Sequence, residues 1–297
     1  MRGWIFVSVD HLGIGASSTH HDGARLDYTT LSAANRSAER QLLDRLSAGT
    51  LAAGFPAVDN PLTLGIGQSM SGCLTVIQQD RFHCYDGIGV LGYSAIHTHP
   101  QVAPGDTPLT GAWGPRDTLL SRPAVVVNAP QIAAAESRAP GPGSQRTVQQ
   151  RLACGFHHSD IDAETVAADT ERGDTLPAWA AAGLPEAVAE ALTTRGTIAP
   201  EAAAVLSPVL VAMGERNFVA DPRGEPRACP SARSVDLFAC PRMGHMHNFA
   251  STRELLWQRI ERFAEWTRTV KNAYGDTKRI SLLRRCRTHQ TRPSGAY

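Results

Sequence analysis

"LTLGIGQSMSGCLTVI", residues Leu62 to Ile77, sets one serine between two apolar stretches. Leu62–Ile66 reads as a strand, and the residues after Ser69 read as a helix reaching Gln79. Ser69 thus falls on a strand-to-helix turn, with Gly67 and Ser71 two residues to either side and Gly72 beyond. Small residues at those offsets let strand and helix crowd together. The serine oxygen is then pushed outward, beside a backbone N–H at the start of the helix. The bland reading is a small polar residue in a glycine-rich bend. The flanking elements decide between the two.

Gly3–Val9 (GWIFVSV) is a short run of apolar, β-branched and aromatic residues that predicts a buried strand, followed by the turn-rich loop "DHLGIGASS". From Leu31 the spacing of Ala34, Ala38, Leu42 and Leu46 predicts a helix. Gly87–Gly92, Pro208–Met213 and Ser234–Ala239 read as further buried strands. Between Ala95 and about Pro200 the stretches "HTHPQVAPGDTP" and "RAPGPGSQR" are loop chemistry. Asp160–Arg195 there is alanine-rich and helical, with breaks at Gly173, Pro177 and Pro185. In the last helix Ser251 and Glu254 have capping-box spacing, and Leu256, Ile260, Phe263 and Ala264 form one apolar face. Strands alternating with helices predict an α/β fold, a mostly parallel sheet with helices on both faces and an inserted helical cap. The expected division is residues 1–96 as the first part of the core and 97–204 as the cap or lid. Residues 205–268 complete the core, and 269–297 form a basic tail without fixed structure.

The 297 residues, 42% hydrophobic and 19% charged, suit a soluble globular protein of one large α/β domain or of a core domain plus a smaller one. No apolar run approaches the roughly 20 residues of a membrane span. The start, Met1-Arg2-Gly3-Trp4, enters a strand pattern without a small-residue cleavage site, so no leader is read there. Six scattered cysteines with no C-x-x-C pair read as reduced thiols of a cytoplasmic protein. The net charge of +1 conceals a basic end: 8 of the 29 basic residues, but only Asp276 of the 28 acidic ones, lie from Arg268 onward. The remainder carries a net −6, which argues against a nucleic-acid-binding body. The sequence leaves the oligomeric state open.

A serine becomes nucleophilic only beside a base. Among 11 histidines, His245 follows Gly244 in "CPRMGHMHNFAS", a loop between a strand and the final helix, where an imidazole can be aimed across the top of a sheet. His247 is its runner-up or supporting partner. His20, His21, His83 and His289 read as solvated surface residues. His97 with His99, and His157 with His158, have metal-ligand spacing but lack a carboxylate or cysteine set to complete a site, so no metal or cofactor is expected.

The loop "DHLGIGASS" (Asp10, Gly13, Gly15, Ser17), "GQSMSG", "PVLVAMGERN" and "MGHMHNF" occur in one order along Gly3 to about Trp266. In that order and spacing the chain resembles the α/β-hydrolase superfamily, in its serine esterase/lipase-like branch. The resemblance implies Ser69 as nucleophile, His245 as general base and the backbone N–H of Met70 as an oxyanion donor. The region from about His97 to Pro200 would be a lid. It implies hydrolysis of a small ester, thioester or lactone through an acyl-enzyme, with no cofactor. The serine argues against the aspartate-nucleophile branches.

Two departures stand beside it. The family acid is expected three residues after the glycine of "MG", and Asn217 occupies that position. Asp221 in "FVADPRGE" is the substitute, with Glu215 behind it, although Asp221 before Pro222 reads equally as a turn residue. The family also carries three strands ahead of the stretch resembling Gly3–Val9. A shortened chain is therefore expected, in which Gly3–Val9 pairs directly with Leu62–Ile66 or leaves a gap. These departures favour the alternative, a catalytically weak or inactive α/β-hydrolase-like binding protein or a truncated product.

Overall fold

Four short apolar runs pair side by side, all parallel, in the order β1 (Leu64–Gln68), β2 (Gly87–Leu91), β3 (Val209–Gly214) and β4 (Val235–Cys240). The computed structural model describes residues 3–18, 26–98, 101, 126–127, 153–170, 184–185, 194–219 and 221–274. The register pairs Gly67 with Val90, Val90 with Val211, and Val211 with Leu237. Strands β2 and β3 are buried at every residue, as unbroken apolar runs require in a sheet covered on both faces.

Successive side chains of β3 divide the core. Val209, Val211 and Met213 pack with Leu31 of α1 (Tyr28–Ser47) and with Leu74 and Ile77 of α2 (Met70–Phe82). Leu210 and Ala212 point the other way, onto Leu256 and Phe263 of the last helix, Arg253–Tyr274. Between β2 and β3 lie α3 (Ala163–Thr170) and α4 (Ala199–Ala204), so the last helix is α5. Val126–Val127 pairs antiparallel with Leu184–Pro185.

Helix α1 begins three residues before Leu31 because the Asp27 carboxylate accepts from the Thr30 N–H at 2.7 Å. Helix α5 begins at Arg253 without the expected capping box. The Ser251 hydroxyl instead donates to Asp160, which also binds Arg242 and His158. Helix α5 runs to Tyr274 and buries Thr267 and Val270 in its C-terminal part. Most of the expected cap over 97–204, and the tail after Tyr274, lie outside the described residues.

The expected strand at Gly3–Val9 is not one. The segment is unpaired, and Phe6 is 89% exposed. At its start the Trp4 ring lies beneath Arg268 of α5; just past its end His11 meets Ser71 of α2. Strand formation needs a ladder partner as well as apolar composition. Among the described strands none pairs with the outer edge of β1, where Ile66 is exposed. No helix among the described residues is long and apolar enough to cross a membrane.

A parallel edge that no described strand covers, in a chain that also exposes Trp4, Ile5, Phe6 and Val7, is prone to pair with other chains. The sedimentation coefficient is expected to rise with protein concentration, and the double change Phe6→Lys, Ile66→Lys to suppress that rise. Concentration-independent sedimentation of the unaltered protein would contradict this account of the edge.

Candidate active site

Ser69 links β1 directly to α2 with φ 55° and ψ −123°, a backbone conformation that residues with side chains rarely adopt. Such strain costs about 1–3 kcal/mol and persists only when the surroundings enforce it. Here the Ser69 N–H donates to the Leu91 carbonyl at the end of β2 (2.8 Å), and the Ser69 carbonyl accepts from Gly72 (2.9 Å). At Gly67 an added Cβ would lie 2.1 Å from the Ser71 carbonyl oxygen, so only glycine lets the strand pass the helix so closely. Met70 is the first residue of α2, and its N–H has no intrahelical acceptor.

His245 is held at the same end of the sheet. The side-chain amide of Gln68, next to Ser69, donates to the His245 carbonyl. The His245 N–H donates to Gly155 (2.8 Å) and the Met246 N–H to Phe156 (2.9 Å). Gly244 permits this approach, since a Cβ there would lie 2.3 Å from the Phe156 carbonyl. Gly92, which follows the Leu91 that holds Ser69, has φ 62° and would carry a Cβ only 3.1 Å from Nδ1 of His245. The imidazole stacks on Phe218 with ring centroids 4.4 Å apart, and the edge of Phe156 closes another side.

Nδ1 of His245 lies 2.9 Å from Oδ1 of Asn217, which also accepts from the Phe218 N–H. An amide oxygen only accepts, so His245 carries its proton on Nδ1 and presents a lone pair on Nε2, the form a general base needs. The Asn217 amide nitrogen donates in turn to Nε2 of His247 (3.2 Å). That bond puts the His247 proton on Nδ1, which is buried without a partner. Burial, with a smaller contribution from His247, pushes His245 down to about 3. Burial pushes His247 down to about 4. The hydrogen bonds of His245 do not include one to Ser69. Bonds between nucleophile and base are often long until substrate binds.

Asp221, the expected substitute acid, is not at the imidazole. Its exposed carboxylate accepts from the Gly224 N–H (3.1 Å) and pairs with Arg227 (3.1 Å), capping the 3₁₀ segment Pro222–Ala228. The aspartate before a proline thus acts as a turn residue. Glu215 accepts from the Arg242 N–H. The group beside the His245 imidazole is therefore the amide of Asn217, and neither Asp221 nor Glu215 takes that place. His157 pairs with Asp169 and His158 with Asp160, and no trio of potential metal ligands converges among the described residues.

Several residues at the site were not singled out from the sequence. Gln68, Phe156 and Phe218 position His245, and the buried Glu225 accepts from Ser94 and the Ala95 N–H, tying the loop after β2 to the 3₁₀ segment. Next to the serine turn, His11 reaches Asn35 with Nδ1 (3.1 Å) and the Ser71 hydroxyl with Nε2 (2.9 Å). For His11 the signal in the sequence was its place beside Asp10 in the glycine-rich loop.

No protein-family model matches the chain, and no curated protein matches it in sequence. Solved structures do. A thermophilic esterase from Thermogutta terrifontis superimposes with a TM-score of 0.51 at 16% identity, over 88% of this chain and 78% of that one. An E-2-(acetamidomethylene)succinate hydrolase aligns at 0.46 and 18% identity, over 86% and 80%. A bromoperoxidase from Bacillus anthracis aligns at 0.48 and 14% identity, over 85% and 80%. With its parallel sheet, covering helices and strand-to-helix serine turn, the chain has the α/β-hydrolase fold.

The two buried imidazoles set a pH dependence. Their folded values of about 3 and 4 lie below the 6.5 of a free histidine. The stability gained by keeping them neutral is fully present above about 6.5 and is lost as the pH falls toward 4 and then 3. The urea midpoint is expected to fall between pH 7 and pH 4, and less steeply in His247→Phe. Equal midpoints across that range would show that these rings are not buried neutral.

Proposed function

We propose that the chain is a serine hydrolase of carboxylic esters, thioesters or lactones, with Ser69 as nucleophile and His245 as general base. The observation that carries this reading is the strained backbone of Ser69, enforced by Gly67 and Leu91 beside the Asn217–His245 pair. The Ser69 oxygen attacks the acyl carbon while its proton passes to Nε2 of His245, and the Met70 N–H receives the developing oxyanion. The leaving alkoxide departs with the proton from His245. Water then repeats the sequence on the acyl-enzyme, releasing the acid and restoring Ser69. No metal or cofactor enters. The substrate is a small molecule with a small to medium apolar acyl part.

Asn217 makes this a slow enzyme. A neutral amide orients the imidazole but does not stabilise the imidazolium, and a base held near 3 accepts a proton reluctantly. In serine proteases the corresponding Asp→Asn change lowers turnover about 10⁴-fold. The same amide favours a second reading, a ligand-binding protein with little or no catalysis.

Labelling with a fluorophosphonate, mapped by mass spectrometry, separates the two. An adduct is expected on Ser69, formed about 10²-fold or more slowly in His245→Gln. Ser69→Gly removes the oxygen and relieves the positive φ, so it is expected to lose that adduct while gaining about 1 kcal/mol of stability. Absence of the Ser69 adduct from the folded protein would leave the binding reading.

Asn217→Asp tests the acid position. The Phe218 N–H can hold a carboxylate there, and His247 can donate to it from Nε2, which removes the buried orphan proton on Nδ1. Turnover is expected to rise about 10²-fold or more. The acid limb of kcat/KM should move up toward neutrality, because a carboxylate favours the protonated ring. An unchanged rate and limb in folded Asn217→Asp would show that Asn217 does not serve His245 in catalysis.

A further inference from the structure

The second serine of "GQSMSG" has a better assembled partner set than the first. Three separate elements bring it together: the loop after Gly3–Val9 supplies His11, α1 supplies Asn35, and the first turn of α2 supplies Ser71. Nδ1 of His11 lies 3.1 Å from Oδ1 of Asn35, and Nε2 lies 2.9 Å from the Ser71 oxygen. With the amide oxygen as acceptor, His11 carries its proton on Nδ1 and accepts the Ser71 hydroxyl proton at Nε2. This is the connectivity found for Asn217 and His245, continued here to a serine already in hydrogen-bond contact.

The rest of the loop holds the imidazole in place. The Asp10 carboxylate accepts from the Ala16 N–H (3.0 Å), and the Ser17 hydroxyl donates to the Asp10 carbonyl (2.7 Å). Leu12 and Ile14 pack against the core. A serine within a helix often spends its hydroxyl on the carbonyl one turn back; that of Ser71 is directed to His11 instead. Ser71, His11 and Asn35 are all half-buried, so the hydroxyl is neither sealed in the core nor fully hydrated.

We propose that Ser71 is a second nucleophile, with His11 as its general base and Asn35 as the positioning residue, reactive toward small activated esters. The Ser71 oxygen bonds to the acyl carbon as its proton passes to Nε2 of His11. The bond to the leaving alkoxide then breaks, and His11 protonates that alkoxide to release the alcohol. Water attacks the acyl-Ser71 ester, gives its proton to His11, and the acid departs as Ser71 takes the proton back. The reaction needs no other reactant and does not require Ser69 to act.

The test uses a fluorophosphonate on the full chain, from which Ser71 displaces fluoride, with its proton passing to His11. Fragment ions that cleave on either side of Met70 distinguish the two serines. In Ser69→Gly, which suits the positive φ, an adduct on Ser71 is expected to persist. It should vanish in Ser71→Ala and form about 10²-fold more slowly in Ser69→Gly combined with His11→Gln. Asn35→Asp in the same background should speed it, a change that a merely loop-anchoring histidine would not produce. Failure of Ser71 to label in Ser69→Gly shown to be folded by circular dichroism would overturn the proposal. So would a Ser71 adduct whose rate is indifferent to both His11→Gln and Asn35→Asp. Labelling of Ser69 in the unaltered protein is read separately and bears only on the first site.

Discussion

A positive φ at a residue with a side chain lasts only where its surroundings leave no alternative, and at Ser69 the surroundings are the sheet and the helix it joins. The Leu91 carbonyl takes its N–H, and the backbone of Ser71 presses on Gly67. Release that contact and β1 can no longer turn into α2 within one residue. The same strand ends hold the histidine, because Gln68 grips the His245 carbonyl and Gly92 leaves room for the ring. Sheet register and site geometry are therefore one constraint.

Electrostatics at the site follow from burial without a compensating charge. Asn217, His245 and His247 are all buried and form a chain of neutral donors and acceptors. A carboxylate in the middle of that chain would lift His245 toward a useful basicity; the amide leaves it low. What the protein gains is a fixed tautomer and a ring locked against Phe218. The amide thus orients the ring without raising its proton affinity, which on the proposed reading makes the chemistry slow. The chain Asn35–His11–Ser71 repeats the amide–imidazole motif in a half-buried setting.

The parts of the fold governed by local pattern were legible in the sequence. Strands β2 and β3 are unbroken apolar runs, and Leu256, Phe263 and Ala264 face the core from α5 as their spacing requires. Gly3–Val9 has similar composition and yet stays unpaired, because pairing depends on a neighbour that composition does not reveal. The serine turn was visible in its small residues. Asn217 was visible as an anomaly, and Asp221 drew attention by charge although a proline beside it makes a turn. The partners of His11 lie 24 and 60 residues away, beyond the reach of local pattern. Contacts at that separation are set by packing.

In the proposed site Ser69, at the end of β1, and His245, in the loop after β4, form one reactive unit. A crystal structure of the fluorophosphonate-treated protein tests it most directly. The account predicts phosphorus bonded to the Ser69 oxygen, Nε2 of His245 within about 3.2 Å of that oxygen, and Nδ1 still on Asn217. An unmodified Ser69, or an adduct with His245 turned away from it, would contradict the account.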